Sequence, residues 1–560
     1  MPAATYASTA EEKSRQVKDG REKAYERALA GCEPRYHRYH TELFERTRTE
    51  LLGKASATSK QRQTRRLARR RQKIEIATWS GGSFLCWLSV VGCSEAQAIM
   101  GSAEHIEAPT SNSAGGRWLI LATATVATGL AAGLGGMVLG LLLHFIQHVA
   151  YGYSLHAIVS HESFLEGVRA SSPLRRFVVL CVCGAVAGTG WWALYRFGSP
   201  LVSIRKAVED RNSRMPFFTT IGHDLLQIVT VGLGSPLGRE VAPREVGAML
   251  AGRLSDRAGL APEFRRVMVA CGAGAGLAAV YNVPLGGTLF VLEVLLGALG
   301  LPALIPAFAT CVIATVVARV GLGNESQYSL PPLTISSPLV VWSIVMGPVF
   351  GFVAYWFVRA AGAVRAHAPR DCRLPLWCAV VFPVIGLLAI PFPQLLGNGK
   401  GVAQEVFDSN IGLTLAVVLL LLRVLVTLGA LRAGAEGGLL TPGLSIGALL
   451  GIILGGFWNY AWPGVPLGAF AIVGSAAFLA SSMKMPLTAV VLIIEFTRVG
   501  QDFLIPMLFG VVGSVSVFYL CTQHILQPVW RAHQDDIPRS VSRERILAGQ
   551  KVRGARPEDR

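Results

Sequence analysis

The sequence predicts an all-α protein that crosses a membrane many times, and three observations carry that prediction. The first is composition: of 560 residues, 52% are hydrophobic and 16% charged, against about 25% charged in soluble domains. The second is a set of long apolar runs, "WLILATATVATGLAAGLGGMVLGLLLHFI" (118–146), "FVVLCVCGAVAGTGWWALY" (177–195) and "LTLAVVLLLLRVLVTLGAL" (413–431). About 20 apolar residues cross a bilayer as a helix, in which every backbone polar group is satisfied internally. The third is an internal repeat placed inside the apolar region. A large soluble protein with very apolar core helices is the competing reading, and the low charge speaks against it.

The net charge of +17 raises nucleic-acid binding as a function class. The basic residues, however, crowd into the ends, as in "KQRQTRRLARRRQK" (60–73). That pattern follows the tendency of Lys and Arg to stay on the cytoplasmic side, where they also meet anionic lipid headgroups. No nucleic-acid partner is expected, and both termini are read as cytoplasmic. Residues 1–30 are polar and lack the apolar core of a signal peptide. Residues 77–101 are moderately apolar and broken by Ser and Gly. They read either as an interfacial segment or as a stretch upstream of the protein's true start. The ten cysteines are scattered without metal-ligand or disulfide spacing, so no metal, no cofactor and no disulfide framework is expected.

The repeat has two parts. "GAGAGLAAVYNVPLGGTLFVLE" (272–293) aligns without a gap on "GSAAFLASSMKMPLTAVVLIIE" (474–495), an offset of 202 residues from Pro284 to Pro486. The shared residues include the opening Gly, a Leu, an Ala, the Pro-Leu pair and the final Glu. Ahead of each copy, "GREVAP" (238–243) and "GGLLTP" (437–442) both run from Gly to Pro, offset by 199. Transporters built from two halves place their site where Gly- or Pro-interrupted segments of the halves meet. Glycine permits irregular backbone, and proline suits a helix's first turn because it has no N–H to leave unpaired. Each element therefore reads as a loop ending at a helix N-terminus within the membrane. Free N–H groups and the positive end of the helix dipole make such a mouth an anion site.

Glu240 stands at the first mouth. Its carboxylate is itself an anion suited to that place, and protonation lets it leave. One side chain can thus gate a permeating anion and carry a proton. Intramembrane acids are costly and mark functional sites. The blander role is an ion pair with Arg239 that holds the loop.

These residues resemble the CLC family of chloride channels and proton-coupled chloride transporters. The family pattern is a Gly-Ser-Gly-Ile-Pro loop, then Gly-Arg-Glu-Gly-Pro, then Gly-x-Phe-x-Pro in the second half. Here "GSPLV" (198–202), "GREVA" (238–242) and "GLLTP" (438–442) occur in that order. The resemblance implies a prokaryotic-type member without the paired C-terminal nucleotide-binding (CBS) domains. It also implies two inverted-topology halves of tilted, partly re-entrant helices, and a homodimer with one anion pathway per subunit. Its domain plan is a basic, mostly polar cytoplasmic segment over 1–116 and a transport domain over 117–530. The halves of that domain are about 117–321 and 338–530, and a short polar cytoplasmic tail covers 531–560.

Carried over position by position, Glu240 matches the gating glutamate. Ser199 matches the serine touching the central anion and favours chloride; its other role is a helix N-cap. Gly238, Arg239, Val241, Leu439 and Leu440 match positions lining the anion, the two leucines through their amides. Glu293 matches an acid on the helix after the first loop, a proton-pathway (water-organising) or structural acid. Trp530, in "QPVW" (527–530), falls where the family has an anion-binding tyrosine; an indole N–H can also donate. The chain departs from the pattern at Pro200, Val202, Val241 and Ala242, and Val294 stands where transporters often carry a second, inward-facing acid.

The expected function is passage of chloride or a similar monovalent anion, gated by Glu240, with proton exchange as its coupled form. A passive chloride channel and a fluoride-selective transporter are the alternatives. Glu240 argues for coupling and Val294 against it. An intramembrane enzyme would need a nucleophile with a His base; His144, His148 and His223 come with no such element, so an enzyme is not expected.

Overall fold

Among the described residues, seven helices are long and apolar enough to cross a membrane. A computed structural model describes residues 111–153, 163–210, 212–298 and 300–535, with side chains placed between Trp118 and Gln523. Residues 77–101 and the tail beyond 535 lie outside the described residues. The first half comprises α1 (Ser111–Tyr151), α2 (Phe164–Ala170), α3 (Pro173–Phe197), α4 (Ile204–Glu209) and α5 (Phe217–Gly232). It continues with α6 (Val241–Arg257), α7 (Pro262–Tyr281), α8 (Pro284–Phe290), a π-helical turn Val291–Leu296, and α9 (Leu301–Leu322). The second half comprises α10 (Ser337–Ala366), α11 (Arg373–Leu388), α12 (Lys400–Phe407) and α13 (Leu413–Ala433). It ends with α14 (Leu440–Ala461), α15 (Leu467–Ser482), α16 (Pro486–Thr497) and α17 (Leu504–Asp535). The helical domain thus starts six residues before the expected boundary at 117, and α17 runs five residues past 530. Among the described residues there is no strand, only one isolated two-residue bridge.

The repeat is visible as architecture. In the first half α6 packs along α7, and in the second α14 packs along α15. Both crossings are close because glycines face each other. A Cβ on Gly247 or Gly272 would run into the other's carbonyl, and Gly447 and Gly474 have the same relation. The opening glycines of the two repeat copies, Gly272 and Gly474, are therefore crossing points. A left-handed residue follows in each copy, Asn282 at φ 59° and Lys484 at φ 55°. Pro284 and Pro486 then open α8 and α16 at the first helical position.

The final glutamates of the repeat join the halves. Glu293 accepts from the amides of Leu487 (2.9 Å) and Thr488 (2.7 Å) at the start of α16, and from the Thr488 hydroxyl (2.6 Å). Glu495, near the end of α16, accepts from the amides of Leu285 (3.0 Å) and Gly286 (2.7 Å) at the start of α8. Each helix N-terminus leaves amides without intrahelical acceptors, and each is capped by the other half's carboxylate. Glu293 therefore caps α16 from the other half. Glu293→Gln and Glu495→Gln should each cost about 1–2 kcal/mol of stability, since a charge-assisted acceptor at a helix N-terminus is weakened. The loss is read as a lower melting temperature of the purified protein in detergent, and an unchanged melting temperature in both would contradict the capping.

Candidate functional site

Helices α6 and α14 both begin two residues before a proline. Val241–Pro243 and Leu440–Pro442 form their first turns, so the Gly-to-Pro elements end at helix N-termini. These two mouths meet. Gly238 and Gly438 exchange backbone hydrogen bonds, Gly238 N–H to Gly438 O at 2.8 Å and Gly438 N–H to Gly238 O at 2.9 Å. This bridge lies between residues 200 apart and ties the two loops into one joint.

The Glu240 side chain fills that joint. It is fully buried, and its Oε1 accepts from the Leu440 amide at 2.7 Å. Its Oε2 has no hydrogen-bond partner among the described residues. A carboxylate at the N-terminus of the 22-residue α14 sits at the positive end of that helix's dipole. The fit is set by glycine: a Cβ on Gly238 or on Gly438 would overlap the Glu240 carboxyl. Only the absence of a side chain at both positions lets the acid lie between the loops.

The surroundings pin the loops. Arg423, fully buried inside α13, donates to the carbonyls of Leu395 (3.1 Å), Gly397 (2.8 Å) and Pro236 (3.3 Å). It thereby ties the loop before Gly238 to the second half. The Gly397 amide donates to Gly234 O at 2.9 Å. Tyr281, at the end of α7, brings its hydroxyl within 3.2 Å of the Thr441 hydroxyl in the first turn of α14.

Four of the roles expected from the sequence come out differently in space. Arg239 does not pair with Glu240; its guanidinium lies over the Tyr281 ring, 5.2 Å from the centroid. The Gly238 amide is spent on Gly438 O, which removes it from the donors open to an anion. Ser199 is exposed, and its amide donates to Thr219 Oγ1 at 3.1 Å in the first turn of α5. That is the end of α5 remote from the joint, about 20 Å of helix away at 1.5 Å per residue. Nor is Ser199 an N-cap: α4 starts after Ser203, whose hydroxyl accepts from the Lys206 amide at 3.3 Å. With Pro200 and Val202 in place of Gly and Pro, the loop carries its helix start four residues later. Leu439, half-buried, is the residue preceding α14. Trp530 lies on α17, and its side chain is outside the described residues. Val294 sits in the π-helical turn, packed against the apolar core.

Sequence reasoning passed over Arg423, Tyr281, Asp224 and Glu245. Arg423 had a signal, a lone cation in the apolar run "LLLLRVLV", which is costly in lipid unless buried and bonded. Asp224 and Glu245 are likewise acids between apolar stretches.

The chain matches known proteins both in sequence and in fold. The family model described as voltage gated chloride channel matches residues 183–518. The H(+)/Cl(-) exchange transporter ClcA of Cronobacter sakazakii is 28% identical over 414 residues, 69% of this chain and 84% of that protein. A putative chloride channel protein, ClcB-like, of Ralstonia nicotianae is 30% identical over 325 residues, 56% of this chain and 75% of its own. Among solved structures, a slow cyanobacterial Cl-/H+ antiporter superposes with TM-score 0.62 at 21% identity, over 72% of this chain and 94% of its own. A CLC-type fluoride/proton antiporter reaches 0.53 at 20% identity, over 74% and 99%. The structural likeness shows the shared fold, and the family match covers more than half of the residues. The chain is a multi-pass membrane protein, and it belongs to the voltage gated chloride channel (CLC) family.

Proposed function

We propose that this protein carries chloride, or a similar monovalent anion, through the joint of α6 and α14, with Glu240 as the gate and as a proton carrier. One observation supports this above the others. A fully buried carboxylate holds the Leu440 amide at 2.7 Å, the place a permeating anion would take at the mouth of α14. Protonation of Glu240 weakens its hold on that amide and lets an anion replace it. The amides of Arg239, Val241, Leu439 and Leu440 and the hydroxyls of Tyr281 and Thr441 are the proposed donors to the anion. Exchange for protons is favoured by the carboxylate. A passive channel is the second reading, and Val294, which holds no proton at the position of a family acid, is the observation behind it.

The arginine-rich ends of α6 and α7 (Arg253, Arg257, Arg265 and Arg266) are assigned to the cytoplasmic side by the positive-inside tendency. Both termini are placed on that side, in the cell membrane, and the protein is proposed to work as a homodimer with one pathway per subunit. Half-exposed apolar side chains such as Leu285 and Leu487, at 49% and 47%, are open to lipid or a second subunit.

Liposomes containing the purified protein should pass chloride faster than potassium or phosphate; cation flux that persists without a permeant anion would sink the reading. Glu240→Gln imitates the protonated gate. Chloride flux should persist or rise, lose most of its dependence on external pH, and no longer drive proton uptake, whereas Glu240→Asp should be slow. Wild-type proton coupling in well-folded Glu240→Gln protein would refute the role assigned to this residue.

Gly438→Ala drives a methyl group into the space of the Glu240 carboxyl, so it should also flatten the pH profile of chloride flux. A wild-type profile in that variant would show that the gate does not need this glycine. Cross-linking and light scattering in detergent should give a dimer, and monomer alone at working concentration would contradict the assembly.

A further inference from the structure

Helix α5 carries a polar stripe that neither the fold nor the gate uses. Thr220, Asp224 and Gln227 lie at i, i+4 and i+7, one face of a helix. They are 1%, 0% and 0% exposed. Five of their side-chain atoms, the Thr220 hydroxyl oxygen, both carboxyl oxygens of Asp224 and both amide atoms of Gln227, have no aligned hydrogen-bond partner among the described residues. Buried polar atoms are normally satisfied by protein or by ordered water. An unpaired stripe inside a membrane domain is therefore a place for water.

The stripe has an acid from the neighbouring helix beside it. Glu245 on α6 lies against Asp224, five residues beyond Glu240, the residue that precedes this helix, and about 7.5 Å along its axis. Two carboxylates so close in a low-dielectric site repel strongly if both are ionised, and sharing one proton relieves that cost. His223 stands next to them, its Nε2 3.9 Å from a Glu245 oxygen. Its Nδ1 accepts from the Trp191 indole N–H on α3 at 3.2 Å, which leaves the proton of the neutral ring on the nitrogen facing Glu245. The other charged groups around the pair are Arg244 on α6 and Glu436 ahead of α14. Glu436 accepts from the Tyr195 hydroxyl of α3 at 3.2 Å. On α1, the charged groups acting on His144 are Arg239, Lys400 and His148.

The stripe also has a direction. Helices α5 and α6 are antiparallel about the loop that carries Glu240. Their far ends meet where the Arg253 guanidinium covers the Phe217 ring at 4.7 Å. Thr220, Asp224 and Gln227 thus lead from the arginine-rich end of α6 towards the joint. The family's usual inward-facing acid is Val294 here.

We propose that Asp224 and Glu245 form an internal proton relay, fed by water along the Thr220–Asp224–Gln227 stripe, that loads and unloads Glu240 from the cytoplasmic side. The proposal rests on the reading of Glu240 as a proton carrier. Each hop breaks one O–H bond and forms another: a water-borne proton joins the pair, the pair releases one towards Glu240, and the pair returns to its shared-proton state. No other reactant is consumed.

The test measures chloride and proton movement together in liposomes holding the full-length protein, for wild type, Glu240→Gln, Asp224→Asn and Glu245→Gln. Each variant is first checked for the wild-type elution volume in detergent. In either amide variant, protons moved per chloride should fall at least about tenfold, a conservative bound against the roughly 10²–10⁴-fold that a positioned proton-transfer group contributes, while chloride still flows.

A wild-type ratio in a well-folded Asp224→Asn or Glu245→Gln protein overturns the relay. The gate reading survives that outcome if Glu240→Gln alone abolishes proton uptake. Chloride and proton fluxes that fall together at constant ratio also overturn it, because they mark a structural role for the pair. Wild-type protein that moves no protons at all overturns the relay together with the coupling reading. Should neither amide variant fold, Gln227→Leu, which dries the stripe without touching a carboxyl, takes their place: a lowered ratio supports the relay and an unchanged one refutes it.

Discussion

The bond between the Glu240 carboxylate and the Leu440 amide is the contact around which this molecule is organised. Two helices begin at one buried spot, and in lipid no water serves their first-turn amides. The chain answers with its own anion, held where two glycine-lined loops meet. The side chain is well held but not fully satisfied, since its second oxygen has no partner among the described residues. The proposed gating role needs a group both bound and replaceable, and an apolar residue in the same position could be neither.

The rest of the architecture keeps that joint in register. Gly238 and Gly438 bond to each other, and Arg423 ties the first loop to the second half through three carbonyls. Farther out, α8 and α16 exchange caps through Glu293 and Glu495. Each half thus completes backbone groups that the other leaves open, so neither joint nor caps would be satisfied in a separated half. Closeness of the helices within each half depends on glycine pairs, because packing in a membrane is driven by van der Waals contact and small residues allow backbones to approach. The stripe of α5 departs from the rule for buried polar groups, because the Thr220 hydroxyl and the Gln227 amide have no hydrogen-bond partner among the described residues, and that is where water is proposed.

Much of this was legible in the sequence. Spans followed from apolar length, since the bilayer sets the length of a helix. The two Gly-to-Pro elements followed from backbone chemistry that acts within a few residues, and both helices do begin two residues before their prolines. The repeat announced two related halves through residues that structure explains one by one: Gly272 and Gly474 as crossings, Pro284 and Pro486 as first helical positions, Glu293 and Glu495 as caps. Glu240 stood out because an acid among apolar segments is expensive.

What the sequence could not supply was the partner of each group. Ser199 matched a pattern, but whether its loop reaches the joint depends on Pro200, Val202 and the start of α4 at Ser203, and in space it lies at the other end of α5. Arg239 is adjacent to Glu240 in the chain and yet stacks on Tyr281, because consecutive residues at a helix mouth point in different directions. Asp224 and Glu245 are 21 residues apart and become neighbours only when α5 folds back along α6. Local chemistry, meaning apolar length, proline, glycine and the presence of a charge, was determined by the sequence itself, because each acts over a turn or two of backbone. Pairing across 200 residues was decided by tertiary structure alone, because it depends on which helix faces meet once the two halves close on each other.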